Sequence, residues 1–210
     1  MNRSITSRYV LVIMVACLGC ATTRHSSLER YAIIGSTNGQ WGSGIVMGQG
    51  YVIAAKHVLS QEDSIAPFYI FFKGAVDSSG VVIDTVGDMV LIRSSQGKPL
   101  DLVIVGEASY LETLIWVQPH FRSEGPPMMF VITGKTARYD KGSWYVDHAV
   151  VPGVSGTGVW DSDGELVGMM HMFWASEYGV VYGVFIPIPD RILDHMRPIK
   201  DPFGFLGRSP

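Results

Sequence analysis

Residues 48–57 read Gly-Gln-Gly-Tyr-Val-Ile-Ala-Ala-Lys-His, a glycine-rich turn followed by an apolar run that ends at a histidine. Glycine adopts positive φ without strain, so Gly48 and Gly50 are typical of a hairpin connection. The run Tyr51–Ala55 has the length and the flanking turn residues of a β-strand. The stretch therefore predicts a short strand that starts at a tight turn and delivers His57 near its far end.

Short apolar runs separated by Gly, Asp, Asn and Ser continue along the chain, and no long helical periodicity accompanies them. Two sets of six strands are predicted, at residues 45–46, 51–55, 68–72, 80–84, 89–93 and 102–105, and then at 114–118, 128–133, 144–150, 158–161, 166–173 and 180–186. This pattern predicts an all-β fold of two packed, six-stranded antiparallel β-barrels or sandwiches. The polar segment 106–112 is the expected boundary between them, and 190–196 is predicted to be a short C-terminal helix.

The composition and charge of the chain narrow the classes of function. Its 210 residues are 47% hydrophobic and 17% charged, which is typical of a globular protein whose core needs no disulfides or metals to hold it together. The 16 basic and 19 acidic residues give a formal net charge of −3, and the sequence has no basic run. A nucleic-acid partner is therefore not expected.

The N-terminal segment has the order of a bacterial export signal. Arg3 and Arg8 precede an apolar stretch at residues 9–18, and small residues and cysteine follow. About ten apolar residues fall short of the roughly 20 that a membrane-spanning helix needs. Residues 1–19 are therefore predicted to be a signal peptide.

Cys17 and Cys20 are the two cysteines of the chain, and both lie at the end of this segment. The string Cys17-Leu18-Gly19-Cys20 resembles the lipobox of bacterial lipoproteins, in which a small residue precedes the acylated cysteine. Cys20 is therefore predicted to be the lipid attachment site, with Cys17 as the competing acceptor. Residues 20–39 would be a tether to a membrane of the cell envelope. An ordinary cleaved signal peptide with incidental cysteines is the alternative.

Small residues surround a serine in the second half of the chain. The string Gly153-Val154-Ser155-Gly156 lets the backbone bend sharply between two predicted strands and leaves the hydroxyl of Ser155 accessible. A serine hydroxyl is a weak nucleophile at neutral pH, so it needs a base within hydrogen-bond reach and amide donors that face the developing oxyanion. Gly153 can supply such an amide with no side chain in the way. A plain hairpin connection is the alternative interpretation.

A histidine and a carboxylate in the first half are candidate partners for this serine. His57 ends a predicted strand, and an imidazole is the side chain best suited to accept and return a proton near pH 7. Asp88 lies directly before an apolar run, where a partly desolvated carboxylate needs a donor such as an imidazole N–H. Asp84 is a second candidate for this role, although its place at a strand end points more readily to solvent.

No metal site or cofactor is predicted. The sequence has no HExxH string, and His25, His120 and His195 are isolated along the chain with no spacing typical of metal ligands. A phosphate-cradling loop of the GxxxxGKS kind is also absent from the sequence.

Three strings in the order His, Asp, Ser resemble those of the trypsin-like serine protease family: Ala-Ala-Lys-His at 54–57, Asp with four apolar residues at 88–92, and Gly-Val-Ser-Gly at 153–156. Further segments are similar to bacterial members of the HtrA and glutamyl endopeptidase types, at residues 42–46, 163–168 and 183–187. The resemblance covers about residues 40–190. It implies a chymotrypsin-like domain over 40–197, with one barrel at about 40–106 and the other at about 112–188.

The resemblance also implies hydrolysis of peptide bonds in a protein or peptide substrate. His57 would be the general base and then the general acid, Asp88 the orienting carboxylate and Ser155 the nucleophile. The backbone amides of Gly153 and Ser155 would form the oxyanion hole.

By the same resemblance, the pocket for the substrate residue before the scissile bond would involve Ala149, His171 and Met172. Ala149 carries no charge, which favours a small or medium apolar residue over Lys or Arg. His148 and His171 leave an acidic preference open, because glutamate-specific relatives use a histidine there.

Two other functions stay open at this point. A non-catalytic, protease-like lipoprotein would bind a protein partner in the cell envelope, and an esterase would act through the same three residues. Residues 198–210, which are rich in Pro and Gly, are predicted to be irregular.

Overall fold

The computed structural model describes residues 26–37, 39–61, 64–120, 127–175 and 181–197. The predicted signal peptide, the predicted acylation at Cys20 or Cys17 and the predicted irregular tail lie outside these ranges. The described chain is mostly β, with three short helices: α1 (Ser26–Glu29), α2 (Lys56–Leu59) and α3 (Asp190–Asp194). None of the helices in these ranges is long and apolar enough to cross a membrane.

The first half of the chain folds into a seven-stranded antiparallel sheet. Its strands lie side by side in the order β7 (Ala75–Asp77), β6 (Phe68–Phe72), β1 (Tyr31–Ser36), β2 (Trp41–Gly48), β3 (Tyr51–Ala55), β9 (Met89–Arg93) and β8 (Val81–Val86). A separate two-stranded ribbon consists of β4 (Ser60–Gln61) and β5 (Ser64–Ile65). The two end strands, β7 and β8, do not pair with each other, so this sheet is open and forms a half-barrel.

The second half forms a closed six-stranded barrel. Its strands follow each other around the barrel in the order β10 (Thr113–His120), β11 (Met128–Asp140), β12 (Ser143–Val146), β15 (Val181–Ile186), β14 (Leu166–Ala175) and β13 (Gly158–Trp160), which pairs back with β10. Closure removes the free sheet edges. The long loop between β12 and β13 therefore connects two strands that are each paired on both sides.

The predicted all-β, chymotrypsin-like fold is confirmed, and the boundary at residues 106–112 stays a prediction. The second unit is the predicted six-stranded barrel, whereas the first is an open sheet of seven strands. The predicted tether is wrong for residues 31–36, because β1 lies between β2 and β6 and buries Ala32 and Ile34 completely or nearly so. Residues 102–105 do not join the first sheet, and Val105 instead forms an isolated parallel bridge to Leu166 of the barrel.

The described residues form two hydrophobic clusters, one within the barrel and one that spans both halves of the molecule. Ile53 and Leu91 are fully buried in the first sheet, and the cluster that contains them continues into Trp160, Leu166 and Met169 of the barrel. Burying an apolar side chain of this size stabilises the folded state by roughly 1.5 to 3 kcal/mol. The continuous core therefore fixes the sheet and the barrel relative to each other, together with the cleft between them.

Helix α3 is fixed to the first half through Asp84 on β8. The guanidinium of Arg191 donates to both carboxylate oxygens, at 2.8 and 2.6 Å, and Nε2 of His195 lies 2.8 Å from Oδ2. The hydrogen bonds from Arg191 and then His195 lower the pKa of Asp84 to about 2. The expectation that Asp84 points to solvent is therefore wrong, because its side chain is only 6% exposed and binds the C-terminal helix.

Candidate active site

His57 lies in the first turn of α2, directly after β3. Strand β3 ends with two fully buried alanines that pair with β9. The start of α2 is therefore positioned by an inner strand of the sheet. The amide of Lys56 donates to the backbone carbonyl of Asp88 at 2.6 Å. This contact joins the start of α2 to the turn between β8 and β9.

Asp88 lies in that turn and contacts His57 at two points. Its Oδ1 accepts the backbone amide of His57 at 2.9 Å, and its Oδ2 lies 2.6 Å from the ring Nδ1. Burial opposes ionisation of Asp88, but the hydrogen bonds from His171 and His57 outweigh it and hold the pKa of Asp88 below its usual value. An ionised carboxylate only accepts hydrogen bonds, so Nδ1 of His57 carries the proton and Nε2 is left as the acceptor.

His171 is a second imidazole on the same carboxylate oxygen. Its Nδ1 lies 2.8 Å from Oδ2 of Asp88, and its ring meets that of His57 edge-on, with the two centroids 5.9 Å apart. The pairing of β14 with β15 shifts register between Met170 and Met172, so His171 occupies a β-bulge. Bulges redirect side chains, and this one turns the ring toward Asp88.

The family resemblance predicts a place for His171 in the substrate pocket but not its contact with Asp88. Asp88 and His171 lie 83 positions apart, and the bulge depends on the pairing of β14 with β15. No local pattern in the sequence marks that pairing.

Ser155 lies in the loop between β12 and β13 and contacts both halves of the molecule. Its backbone carbonyl accepts the amide of Ser43 on β2 at 2.9 Å, and its hydroxyl donates to the backbone carbonyl of His171 at 3.1 Å. His171 therefore touches Asp88 through its ring and Ser155 through its backbone. The structure brings residues from α2, the β8–β9 turn, β14 and this loop to one place.

Two glycines shape the loop around Ser155. Gly153 and Gly156 have φ of 91° and 94°, a region that residues with a side chain rarely adopt. A Cβ atom at position 156 would overlap the backbone carbonyl of Ser43. The loop can therefore press against β2 only because residue 156 has no side chain.

All three predicted catalytic side chains line one cavity of about 490 Å³. Its full lining is His57, Asp88, Val150, Val151, Pro152, Val154, Ser155, His171 and Met172. Two of the predicted pocket residues, His171 and Met172, lie in this lining, whereas Ala149 is exposed outside it. The volume lies within the range typical of small-ligand sites, and much of the wall is aliphatic.

His57, Asp88 and His171 also offer one ligand atom each within 4.8 Å of one another, and imidazole and carboxylate are ligands that suit Zn²⁺. The two Nδ1–Oδ2 distances of 2.6 and 2.8 Å are those of hydrogen bonds. Ligands at about 2.1 Å from a tetrahedral metal would lie farther apart, at roughly 3.4 Å. The contacts therefore fit a hydrogen-bonded cluster better than a metal centre, and the expected absence of a metal stays a prediction.

The Trypsin-like peptidase domain family matches residues 42–169, a span that includes His57, Asp88 and Ser155. This match covers more than half of the 210 residues of the chain. No curated protein matches the chain significantly.

Several solved structures share the fold. The serine endoprotease from Yersinia pestis matches with a TM-score of 0.65 and 15% identity, over 82% of this chain and 65% of that one. The Rv3671c protease from M. tuberculosis matches with TM-score 0.60 and 13% identity in its active form, over 77% of each chain. This chain spans just under two-thirds of the Yersinia structure. At these identities the likeness establishes the chymotrypsin-like fold alone.

Proposed function

The chain belongs to the trypsin-like peptidase family, and we propose that it is a serine endopeptidase with His57, Asp88 and Ser155 as its catalytic residues. One observation carries this assignment. The Nδ1 atom of His57 lies 2.6 Å from an ionised carboxylate, and the hydroxyl of Ser155 lines the same cavity as both side chains. A base held in one tautomer beside a serine in an aliphatic cavity is the arrangement that acyl transfer requires.

The acylation step uses the free nitrogen of His57. In this structure the hydroxyl of Ser155 donates to the carbonyl of His171, and the proposed reaction requires it to turn about its Cα–Cβ bond and donate to Nε2 of His57 instead. As Oγ attacks the peptide carbonyl carbon, its proton passes to Nε2 and an electron pair of the C=O bond moves to oxygen. Asp88 stabilises the imidazolium that forms.

The amides of Gly153 and Ser155 are the proposed donors to the oxyanion. When the tetrahedral intermediate collapses, the C–N bond breaks and Nε2 of His57 gives its proton to the leaving amine. A water molecule then attacks the acyl-enzyme with the same ring as base. This second half releases a carboxylic acid and returns the proton to Ser155.

The cavity walls favour an uncharged side chain before the scissile bond. Val150, Val151, Val154 and Met172 present aliphatic surface there, and burying such surface contributes roughly 25 cal/mol per Å². The ring of His171 is already bonded to Asp88, which argues against its use as the receptor for an acidic side chain. A medium-sized apolar residue is therefore the proposed preference, and a cleavage profile on a peptide library would test it.

Reaction with a fluorophosphonate probe tests the assignment. We expect labelling of the wild-type protein and none of Ser155→Ala, with strong loss in His57→Ala and a loss of about 10⁴-fold in rate for Asp88→Asn. Circular dichroism would confirm that each variant folds. A folded wild-type protein that neither takes the probe nor cleaves any library peptide would contradict the proposal and favour the non-catalytic, partner-binding alternative.

Esterase activity through the same residues makes a different prediction. An esterase would take the probe and hydrolyse p-nitrophenyl esters, but it would leave every peptide in the library intact. Cleavage of peptides at turnover comparable with the esters would rule it out.

Export and lipid anchoring through Cys20 are a separate proposal, supported by the sequence of the N-terminal segment. The test is metabolic labelling with a fatty-acid analogue in a bacterial host, followed by membrane fractionation. We expect Cys20→Ala to lose the label and leave the membrane fraction, while Cys17→Ala keeps both. The opposite pattern would assign Cys17 as the acceptor, and no label in the wild type would end the proposal.

A further inference from the structure

Ser43 on β2 contacts the proposed oxyanion loop at three successive points. Its hydroxyl donates to the carbonyl of Gly153 at 2.7 Å, and its amide donates to the carbonyl of Ser155 at 2.9 Å. Its own carbonyl lies against the Cα of Gly156, where a Cβ would overlap it. The residue is completely buried, so no water competes for these contacts.

Tyr31 on β1 is the second hydrogen-bond partner of the Ser43 hydroxyl. Its hydroxyl lies 2.9 Å from Oγ of Ser43. The single proton of Ser43 is directed to Gly153, so Tyr31 must be the donor in this pair and Ser43 the acceptor. Burial raises the pKa of Tyr31 to about 12, against a smaller opposite effect of the Ser43 bond, so its hydroxyl keeps its proton at neutral pH.

These bonds fix the peptide groups on either side of the proposed oxyanion donor. The carbonyl of Gly153 belongs to the peptide group 153–154, and the carbonyl of Ser155 belongs to the group 155–156. Between them lies the group 154–155, whose N–H is that of Ser155. Because both flanking peptide groups are held against β2, rotation of the group 154–155 is limited. Its N–H is therefore a preorganised donor, and preorganised donors stabilise an oxyanion.

We propose that Tyr31 and Ser43 are positioning residues that hold the amide of Ser155 in place for the oxyanion. This inference rests on the proposed peptidase activity and adds two residues to it. Neither side chain lines the cavity, so neither touches the substrate. Their effect should therefore fall on the transition state and not on substrate binding.

The test compares three variants of the full chain. Ser43→Ala removes both hydrogen bonds of the Ser43 hydroxyl, to Gly153 and to Tyr31. Tyr31→Phe removes only the bond between Tyr31 and Ser43. Ser94→Ala is the matched control, because Ser94 is also a buried serine whose hydroxyl bonds to two partners, Asp77 at 2.6 Å and the amide of Gln96 at 3.0 Å. That control measures the effect of deleting a buried hydroxyl away from the loop.

The readouts are kcat and KM for the best library peptide, and Ki for its aldehyde analogue, whose adduct places an oxygen in the oxyanion hole. Loss of a whole oxyanion donor lowers kcat by about 10² to 10³, so a loosened loop should cost about 10- to 100-fold in Ser43→Ala. Tyr31→Phe should cost about 3- to 10-fold, because Ser43 itself remains. KM should stay within about twofold while Ki for the aldehyde rises in parallel with the loss of kcat.

The outcomes separate this inference from the proposed function. An inactive wild-type protein would contradict the function itself before any variant is made. An active wild type with unchanged kcat in Tyr31→Phe and Ser43→Ala, or with an equal loss in Ser94→Ala, would overturn the positioning role alone. If Ser43→Ala does not fold, Tyr31→Phe decides the question.

Discussion

Replacement of His171 by leucine should weaken catalysis through its contact with Asp88. In the structure Oδ2 of Asp88 accepts two imidazoles, Nδ1 of His57 at 2.6 Å and Nδ1 of His171 at 2.8 Å. Leucine has no polar side-chain atom, so His171→Leu deletes the second hydrogen-bond donor to Asp88. His171→Asn is the matched control, because its Nδ2 can occupy the place of the histidine Nδ1.

The geometry sets the size of the expected effect. A hydrogen bond to a charged group contributes about 1.5 to 3 kcal/mol. The side chains of Asp88 and His171 are each 20% exposed, so water can replace part of the lost bond, and the lower end of that range applies. The bond is present before the reaction as well, so only the part that keeps Asp88 aligned with the imidazolium in the transition state affects the rate, and about 1.4 kcal/mol corresponds to tenfold in rate. We therefore expect kcat/KM to fall by about tenfold in His171→Leu and to stay within about threefold of the wild type in His171→Asn.

The assay is steady-state hydrolysis of the best library peptide, with unfolding in urea to compare the stability of the two variants. Asparagine should restore most of the activity that leucine loses, and the loss should appear in kcat. Equal activity of the two variants, whether both high or both low, would refute a role for the second donor to Asp88.

Three further outcomes follow from contacts elsewhere in the fold. Gly156→Ala should lower the free energy of unfolding in urea by about 2 to 6 kcal/mol, because it combines backbone strain with an overlap on Ser43. A near-neutral result would contradict the close packing of the loop. Asp84 has a folded pKa of about 2, below its unfolded value of about 3.9, so its contribution to stability is present above pH 4 and is lost as the pH falls toward 2. Thermal melts should therefore show a shallower acid dependence in Asp84→Asn than in the wild type, and parallel curves would exclude the pairing with Arg191. Ile53→Ala should cost about 2 to 5 kcal/mol by opening a cavity in the shared core, and a loss below 1 kcal/mol would argue against that packing.

Local sequence patterns predicted three strands of the first sheet with their bounds. The strands β3, β6 and β9 have the predicted bounds, because each is a five-residue, largely apolar run that follows a Gly, Pro or Asp residue. Strand β1 was missed, since Tyr31–Ser36 follows a segment that resembles a tether and becomes a strand only by pairing with both β2 and β6. Residues 102–105 show the opposite error, because their apolar side chains pack on the core from a connecting segment and not from a strand of the sheet.

The residue types of the proposed active site can also be predicted from the sequence. A histidine after a strand, a carboxylate before one and a serine among glycines are each local features, and their order along the chain resembles one family. The structure brings His57, Asp88 and Ser155 to one cavity, which agrees with that expectation. Their catalytic roles stay a proposal until the variants are measured.

The class of fold, the position of most strands and the three side chains of the proposed chemistry follow from the amino-acid sequence, because turns and strand periodicity are encoded within a few residues. Which groups surround those three side chains follows only from the folded chain. The bonds of Asp88 with His171, of Asp84 with Arg191 and of Ser43 with Gly153 join residues that are 83, 107 and 110 positions apart. Such contacts depend on strand register, on a bulge in β14 and on how the sheet and the barrel share a core, and these properties belong to the whole chain.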